Sequence, residues 1–342
     1  SVTMTADVSD AAGNAAAQVT SSAFTYDKTA PTVTLVSSNK SDGTYKASDI
    51  IPIAVLFSED VTVDTSSGTP TISLSTGGSG SSVNFTSGSG TTLLTFNYTV
   101  ASGHNSNDLA YSASNSLALN SATIKDSAGN DATLTLPSPS EAASLSFNKD
   151  IVIDTTSPTM TITSSTSGVS DGSTTKDATI SLTFTSSEAT TNFTDADITV
   201  INGAISGFNP ASSTTYTATF TPTTDGATTV DVAGNVFTDA VGNNNTAATQ
   251  FNWTYDSTPP IISAIGTGAF SWGAVLNATE DNSNGTVSVT TSGAEDGQTV
   301  TITLNGATYT NTVSSDATTV TITAAALQAL TDGQSYTLTA DV

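Results

Sequence analysis

The chain has 342 residues, a formal net charge of −24 and no cysteine, so disulfides and thiolate metal sites are excluded. It contains 30 acidic residues against six lysines, and such a surface repels nucleic-acid phosphate and anionic lipid. No apolar run approaches the roughly 20 residues of a membrane span, so neither nucleic-acid binding nor membrane insertion is expected.

Short segments that alternate Thr or Ser with aliphatic residues recur along the chain. A period of two residues places one face of a strand in a core and the other in water. Helical periodicity is confined to 323–330, where one short turn of helix is expected. The fold class is therefore predicted to be all-β. The clearest strand segments are 32–36, 71–75, 179–184 and 299–304.

A tag made of Asp, three residues and Pro introduces an alternating segment three times. Its copies are Asp27–Pro31, Asp154–Pro158 and Asp256–Pro260. Each copy follows an apolar strand, and Pro is tolerated at the first position of an edge strand. We interpret each tag as the linker between two modules.

A second tag, Asp-x-x-Gly-Asn, lies upstream of each linker. Its copies are Asp10–Asn14, Asp126–Asn130 and Asp239–Asn243. Asp initiates a turn and Gly accepts positive φ, so the tag predicts a tight loop between two strands. In a seven-stranded sandwich these are strands F and G, the last two.

The tags and the two ends of the chain define the modules. Residues 1–8 and 335–342 differ only at their second and fourth positions, which places both in strand F of equivalent modules. The predicted architecture is an elongated array of tandem immunoglobulin-like β-sandwich modules. Because the chain opens inside a strand pattern, we expect it to be cut from something longer. Its parts are a first fragment (1–26, strands F and G of a truncated module), a second module (27–153), a third module (154–255) and a fourth module (256–342, lacking its last strand or strands).

Acidic side chains are predicted to converge at the N-terminal pole of each module, where the linker meets the B–C and F–G loops. Converging carboxylates repel unless a cation joins them, and Ca²⁺ prefers carboxylate, amide and carbonyl oxygens. We therefore expect Ca²⁺ at each junction; the alternative is that these residues only initiate turns or solvate loops. The candidate ligands are Asp27, Glu59, Asp126 and Asn130 in the second module, Asp154, Glu188, Asp239 and Asn243 in the third, and Asp256, Glu295 and Asp296 in the fourth.

Catalysis has little support in the sequence. His104 is the only histidine, no Gly-x-Ser-x-Gly nucleophile turn occurs, and the acidic groups repeat once per module, whereas a catalytic pair is usually unique. We expect no enzymatic activity. Phe251, Trp253 and Tyr255 alternate along strand G of the third module, as Phe24 and Tyr26 do in the first fragment, and both sets are predicted to pack in a core.

The tags DKTAP, DTTSP, FSED, TSSEAT and DSAGN keep a common order across the modules. In this they resemble the bacterial immunoglobulin-like repeats of giant cell-surface adhesins, and the resemblance covers essentially the whole chain. It implies a protein that is exported to the bacterial surface or secreted, and that reaches from the cell towards a surface or a partner cell. It also implies Ca²⁺ at the module junctions, where the ion stiffens several such arrays.

The expected function is mechanical: a non-catalytic, calcium-stiffened stalk or filament segment. Its partners would be neighbouring immunoglobulin-like modules of the same or identical chains. Two alternatives stay open. One is a module that binds a cell-surface glycan or protein through its loops. The other is a self-assembling subunit, in which residues 1–26 complete the open module of a neighbouring chain by strand addition.

Overall fold

The computed structural model describes residues 9–17, 22–78, 80–263 and 265–342. Strands dominate these residues, and the helices are short turns, which confirms the all-β prediction. The strand predicted over residues 1–8 lies outside the described residues. The boundaries of the first fragment and of the second, third and fourth modules stay a prediction.

The third module shows the immunoglobulin-like arrangement most completely. Its two four-stranded sheets have the orders β11-β13-β16-β15 and β12-β18-β17-β14. These orders correspond to strands A, B, E and D in one sheet and A′, G, F and C in the other. The strands are β11 (Met160–Ser164), β12 (Ser173–Thr175), β13 (Ile180–Ser186), β14 (Ile198–Ile201), β15 (Gly203–Pro210), β16 (Thr215–Pro222), β17 (Gly226–Val232) and β18 (Phe251–Tyr255).

Alternation of side chains builds the core between these sheets. Along β13, Ile180, Leu182 and Phe184 are buried, while the residues between them face outwards or lie half-buried. Trp253 of β18 is 2% exposed and packs edge-on against Phe220, with 4.6 Å between ring centroids. The predicted core position is therefore confirmed for Phe251 and Trp253, whereas Tyr255 is only half-buried.

The second module is a larger variation of the same fold. One sheet has the order β1-β3-β6-β5-β4-β7, with β8 paired to β4 and β9 to β3, and β10 pairs with β2 in parallel. Its elements are β1 (Val33–Ser38), β2 (Gly43–Tyr45), β3 (Ile50–Asp64), β4 (Thr71–Ser75), β5 (Ser81–Ser87), β6 (Thr91–Thr99), β7 (Ala110–Tyr111), β8 (Leu117–Ala118), β9 (Thr123–Lys125), α1 (Leu145–Asn148) and β10 (Ile151–Ile153).

The fourth module has two three-stranded sheets, β19-β20-β23 and β22-β21-β24. The short helix expected near residues 323–330 is present as α2, which confirms that prediction. The elements are β19 (Ile261–Ile262), β20 (Gly285–Ser292), β21 (Thr299–Leu304), β22 (Ala307–Thr312), β23 (Ala317–Ile322), α2 (Ala324–Gln328) and β24 (Thr339–Asp341).

Buried apolar side chains form three separate cores. One is built from residues between Val36 and Ile153, the next between Met160 and Trp253, and the last between Val287 and Leu327. Each core draws only on residues of one predicted module. Because no core residue is shared, each sandwich contains the apolar contacts that a separate folding unit needs.

The described part of the first fragment forms no sheet, unlike the three modules. An isolated bridge joins Ser9 to Ala15, and residues 22–26 form no strand. Phe24 and Tyr26 are 65% and 79% exposed, so the prediction that they pack in a core is wrong for this structure. The physical reason is that no described sheet lies beside them to receive their rings.

Gly285 at the start of β20 provides a test of packing in the fourth module. A Cβ at this position would clash with Cζ3 of Trp272. We expect Gly285→Ala to lower the free energy of unfolding of this module by about 1–3 kcal/mol, because the indole must shift. Gly266→Ala is the matched control, since its Cβ would meet nothing within 4 Å.

Urea denaturation followed by the fluorescence of Trp272, in a Trp253→Phe background, measures this effect because the chain has two tryptophans. Equal unfolding midpoints for the two glycine variants would contradict the packing of Trp272 on the backbone of β20.

Candidate metal centres at the N-terminal poles

The Asp-x-x-Gly-Asn tag of the third module folds into a loop closed by its own Asp. Oδ1 of Asp239 accepts the backbone amides of Val241, Gly242 and Asn243 at 2.9, 2.7 and 2.9 Å. Nδ2 of Asn243 donates to Oδ2 of the same carboxylate at 2.8 Å. Asp239 is only 7% exposed, so this loop holds a buried carboxylate in one orientation.

The second module repeats this loop. Oδ1 of Asp126 accepts the amides of Ala128 and Asn130, both at 2.8 Å, and Nδ2 of Asn130 donates to Oδ2 at 2.7 Å. Burial alone would raise the pKa of Asp126, but the hydrogen bonds from Asn130 and the loop amides outweigh it and lower that pKa. The loop therefore favours the charged form of its carboxylate.

The first fragment contains a third copy of the loop. Asp10 accepts the amides of Ala12 and Asn14 at 2.9 Å each and the side-chain amide of Asn14 at 2.9 Å. The glycine of all three loops has positive φ: 87° at Gly13, 93° at Gly129 and 95° at Gly242. The tag therefore forms the same loop where no sheet surrounds it among the described residues, and its glycine supplies the positive φ that the turn requires.

The linker Asp forms a second local motif at the same pole. Asp27, Asp154 and Asp256 each accept, through Oδ1, the backbone amide two residues later at 2.9–3.0 Å. The F–G loop also reaches this linker, because Nδ2 of Asn243 donates to the carbonyl of Asp154 at 3.1 Å. The linker and the F–G loop are consequently joined by hydrogen bonds before any ligand is considered.

Two glutamates complete the poles. Glu188 follows the end of β13, as expected for a loop after strand B. Glu59 differs from the expectation, because the strand does not end before it: β3 runs from Ile50 to Asp64 with a break in register between Leu56 and Val61. The bend at this irregularity places Glu59 at the pole, where a loop was predicted.

The structure brings six of the predicted site residues together in two clusters. Within each cluster, one carboxylate oxygen from every member lies within 4.8 Å of the others. The Glu members are half-buried and the F–G loop Asp members are buried, so water screens these charges incompletely. The clusters are Asp27, Glu59 and Asp126 in the second module and Asp154, Glu188 and Asp239 in the third.

Burial and the neighbouring carboxylates raise the pKa of the glutamate in each cluster. Burial raises the pKa of Glu188, and the charges of Asp154 and Asp239 raise it further. Burial likewise raises the pKa of Glu59, with the charges of Asp27 and Asp126 adding to the effect. Each cluster therefore concentrates negative charge without a compensating cationic side chain within ion-pair distance among the described residues.

A hard divalent cation fits this donor set. Ca²⁺ binds six to eight oxygens at about 2.3–2.6 Å, so oxygens that share one ion lie within roughly 5 Å of each other. In each cluster, one oxygen from every one of the three carboxylates satisfies that limit. Nitrogen and sulfur ligands, which Zn²⁺ prefers, are not among them.

Asn130 and Asn243 lie beside the clusters in a different role from the one expected. Their side-chain nitrogens donate to Asp126 at 2.7 Å and to Asp239 at 2.8 Å. Nδ2 of Asn130 also lies 3.4 Å from the carbonyl of Asp27. In this structure both amides orient the cluster carboxylates and the linker, and they do so through nitrogen, which does not ligate Ca²⁺.

The fourth module does not assemble the third predicted site. Oδ1 of Asp296 accepts the amide of Ser315 at 2.6 Å, and Oδ1 of Asp256 accepts that of Thr258 at 3.0 Å. Glu295 is exposed. These three side chains belong to no acidic cluster in the described part of the chain.

Comparison with known proteins agrees with this fold. Residues 154–255, the third module, match the family model of a bacterial Ig-like domain. A search of curated protein sequences found no match.

Two solved structures of bacterial adhesins are similar to the chain. A 1.5-MDa bacterial ice-binding adhesin is 20% identical, with 83% of this chain and 84% of that chain covered and a TM-score of 0.27. InvD of Yersinia pseudotuberculosis is 15% identical, with 84% and 81% covered and a TM-score of 0.30. TM-scores this low carry no inference about the function of this chain.

No helix among the described residues is long and apolar enough to cross a membrane.

Proposed function

We propose that this chain is a non-catalytic, load-bearing segment of an extracellular bacterial repeat protein, in which Ca²⁺ at successive N-terminal poles stiffens a stalk. Its partners are the neighbouring immunoglobulin-like modules. The observation that supports the proposal is the recurrence of one carboxylate cluster, built from the same three topological positions, in two consecutive modules. A catalytic pair has no reason to repeat in this way, whereas a junction does.

The position of the clusters connects cation binding to stiffness. Each cluster joins the linker Asp to the B–C region and the F–G loop of the module that follows. A cation shared by Asp154, Glu188 and Asp239 would tie the linker to the third module at a point close to the second. Ordering a linker in this way removes its conformational freedom, and the array then transmits force as a rod.

The composition supports an extracellular setting. A net charge of −24 keeps a long array soluble and discourages association with anionic surfaces. Small extracellular domains commonly depend on disulfides, and this chain has no cysteine. Metal binding at the junctions would supply stabilisation that disulfides provide elsewhere.

Calcium titration of the full chain by isothermal calorimetry tests the proposal. We expect two binding events per chain, with dissociation constants on the order of 10⁻⁴ M, as is typical of extracellular calcium modules. Glu188→Gln should remove one event and Glu59→Gln the other, because each substitution removes a carboxylate from one cluster.

Glu295→Gln is the matched control, since Glu295 lies outside both clusters, and it should leave two events. The absence of calcium heat in the unmodified chain at millimolar Ca²⁺, or equal binding by Glu188→Gln and Glu295→Gln, would overturn the proposal.

A further inference from the structure

The C-terminal pole of the second module contacts the F–G loop of the third module directly. Nζ of Lys46 donates to the carbonyl of Gly242 at 3.0 Å, and this contact is partly buried. Lys46 directly follows β2, which runs parallel to β10, the last strand before the linker. A cation on one module therefore meets a carbonyl of the loop that carries Asp239 in the next.

The backbone around Lys46 is fixed before the side chain reaches across. Oδ2 of Asp49 accepts the amide of Lys46 at 3.0 Å, and the amide of Asp49 donates to the carbonyl of Lys46 at 3.1 Å. The amide of Ser48 donates to the carbonyl of Val100 at 2.8 Å, which ties this turn to the end of β6. Because the turn is ordered, the contact costs less conformational entropy than one from a mobile loop.

The linker itself is held at Thr155. Its amide donates to Oδ1 of Asn105 at 2.8 Å, and its hydroxyl donates to the carbonyl of His104 at 3.0 Å. The amide of Gly103 donates to the same hydroxyl at 2.9 Å. The ring of His104 is anchored in turn, with Nδ1 lying 2.8 Å from the hydroxyl of the buried Tyr98.

Gly242 is shaped for the approach of Lys46. A Cβ at Gly242 would lie 2.8 Å from Nζ of Lys46. Gly129 occupies the equivalent loop position with nearly the same φ, and a Cβ there would meet nothing within 4 Å. The positive φ is common to both loops, whereas the open space is used by a neighbouring module only at Gly242.

The junction between the third and fourth modules has different hydrogen bonds. Lys176 follows β12 as Lys46 follows β2, yet it makes no hydrogen bond or ion pair with any described residue. There, Oδ1 of Asp225 instead accepts the amide and the hydroxyl of Ser257, both at 2.8 Å. These bonds hold the linker to the third module but reach no loop of the fourth.

We propose that Lys46 and the residues around Thr155 form a latch that fixes the angle between the second and third modules without a bound cation. In this latch Lys46 is a positioning residue whose partner is the F–G loop of the following module. The junction between the third and fourth modules has no such latch among the described residues and acts as the more mobile joint.

Single-molecule energy transfer between two introduced cysteines tests the latch, and the cysteine-free chain allows unique labelling. Ser82 and Thr199 are exposed positions on the second and third modules. In calcium-free buffer with chelator, the unmodified chain should give one narrow distance distribution. Lys46→Met should broaden it by at least twofold while retaining the aliphatic stem, and Lys176→Met should leave it unchanged.

Two further variants separate the latch from other effects. Gly242→Ala should broaden the distribution less than Lys46→Met does, because Nζ lies at the end of a flexible side chain and can shift, whereas Gly129→Ala, with the same backbone strain, should leave it unchanged. Glu188→Gln should keep the narrow calcium-free distribution, so that a failure of the calcium proposal leaves the latch intact. A broad distribution in the unmodified chain without calcium, or identical widths for Lys46→Met and Lys176→Met, would overturn the latch.

Discussion

Asp239→Ala is expected to lower the free energy of unfolding of the third module by about 3 kcal/mol. The substitution removes a carboxylate that is 7% exposed and leaves the amides of Val241, Gly242 and Asn243 without their acceptor. Hydrogen bonds to a charged group contribute roughly 1.5–3 kcal/mol each, and buried donors left unpaired add a penalty, although such losses are not additive. Urea denaturation followed by Trp253 fluorescence, in a Trp272→Phe background, measures the loss.

Asp10→Ala is the matched control for this prediction. Asp10 accepts two of the three equivalent backbone amides and the same Asn side-chain amide in an equivalent loop, but it is exposed. Its removal should change the unfolding of the third module by less than about 0.5 kcal/mol. If Asp239→Ala lowers the free energy of unfolding no more than Asp10→Ala does, the hydrogen bonds of Asp239 do not stabilise the F–G loop. The carboxylate cluster would then lack the structural support that these hydrogen bonds provide.

Much of this pole was predictable from the sequence because its parts are local. The turn of Asp239 to Asn243 is set by an Asp that accepts amides within four residues and by a Gly at positive φ. The recurrence of the tags then fixed which strands flank the loop. The convergence of Asp154 and Glu188 on Asp239 followed from the topology of a sandwich, since neighbouring loops meet at one pole.

Other features of the pole depend on contacts between residues far apart in the sequence, and no local pattern predicts them. Glu59 was expected after a strand, but β3 continues past it, because a bulge allows a strand to bend without ending. Sequence reasoning also missed Lys46, whose partner Gly242 lies 196 positions away. The only signal was the scarcity of cations, since six lysines in so acidic a chain are each candidates for a specific contact.

The acidic residues of the fourth module are not equivalent to those of the two clusters. Asp256 lies in the linker, whereas Glu295 and Asp296 both lie in the predicted B–C loop, and the three belong to no acidic cluster among the described residues. Oδ1 of Asp296 instead accepts the amide of Ser315 at 2.6 Å. A linker Asp and two acidic residues of the B–C loop are therefore not enough to form the cluster, which in the other two modules also includes the F–G loop Asp.

Calcium is expected to stabilise the second and third modules and to leave the fourth unchanged. A ligand that binds only the folded state adds about 2.7 kcal/mol at a concentration one hundred times its dissociation constant. For modules of this size that corresponds to a rise in Tm of roughly 10 °C. Thermal unfolding with 10 mM CaCl₂ or with chelator, followed through Trp253 or Trp272 in single-tryptophan variants, compares the third module with the fourth.

The stabilisation should depend on pH in a defined direction. Burial and the charges of Asp154 and Asp239 raise the pKa of Glu188 in the folded chain, so folding disfavours its charged form. Without calcium, this penalty is present at pH 7 and is relieved as the pH falls through the raised pKa. With calcium, protonation of Glu188 competes with the ion, so the calcium-induced rise in Tm should shrink over the same interval.

Glu188→Gln separates the two sources of this pH dependence. The variant should be at least as stable as the unmodified chain in chelator at pH 7, because it removes one of three mutually repelling charges. It should gain nothing from calcium, because the ion loses a carboxylate ligand. A third module whose Tm rises equally with calcium in both proteins would show that the ion binds elsewhere. A Tm that falls in chelator on Glu188→Gln would show that the carboxylate stabilises the fold by itself, which the cluster's shared negative charge argues against.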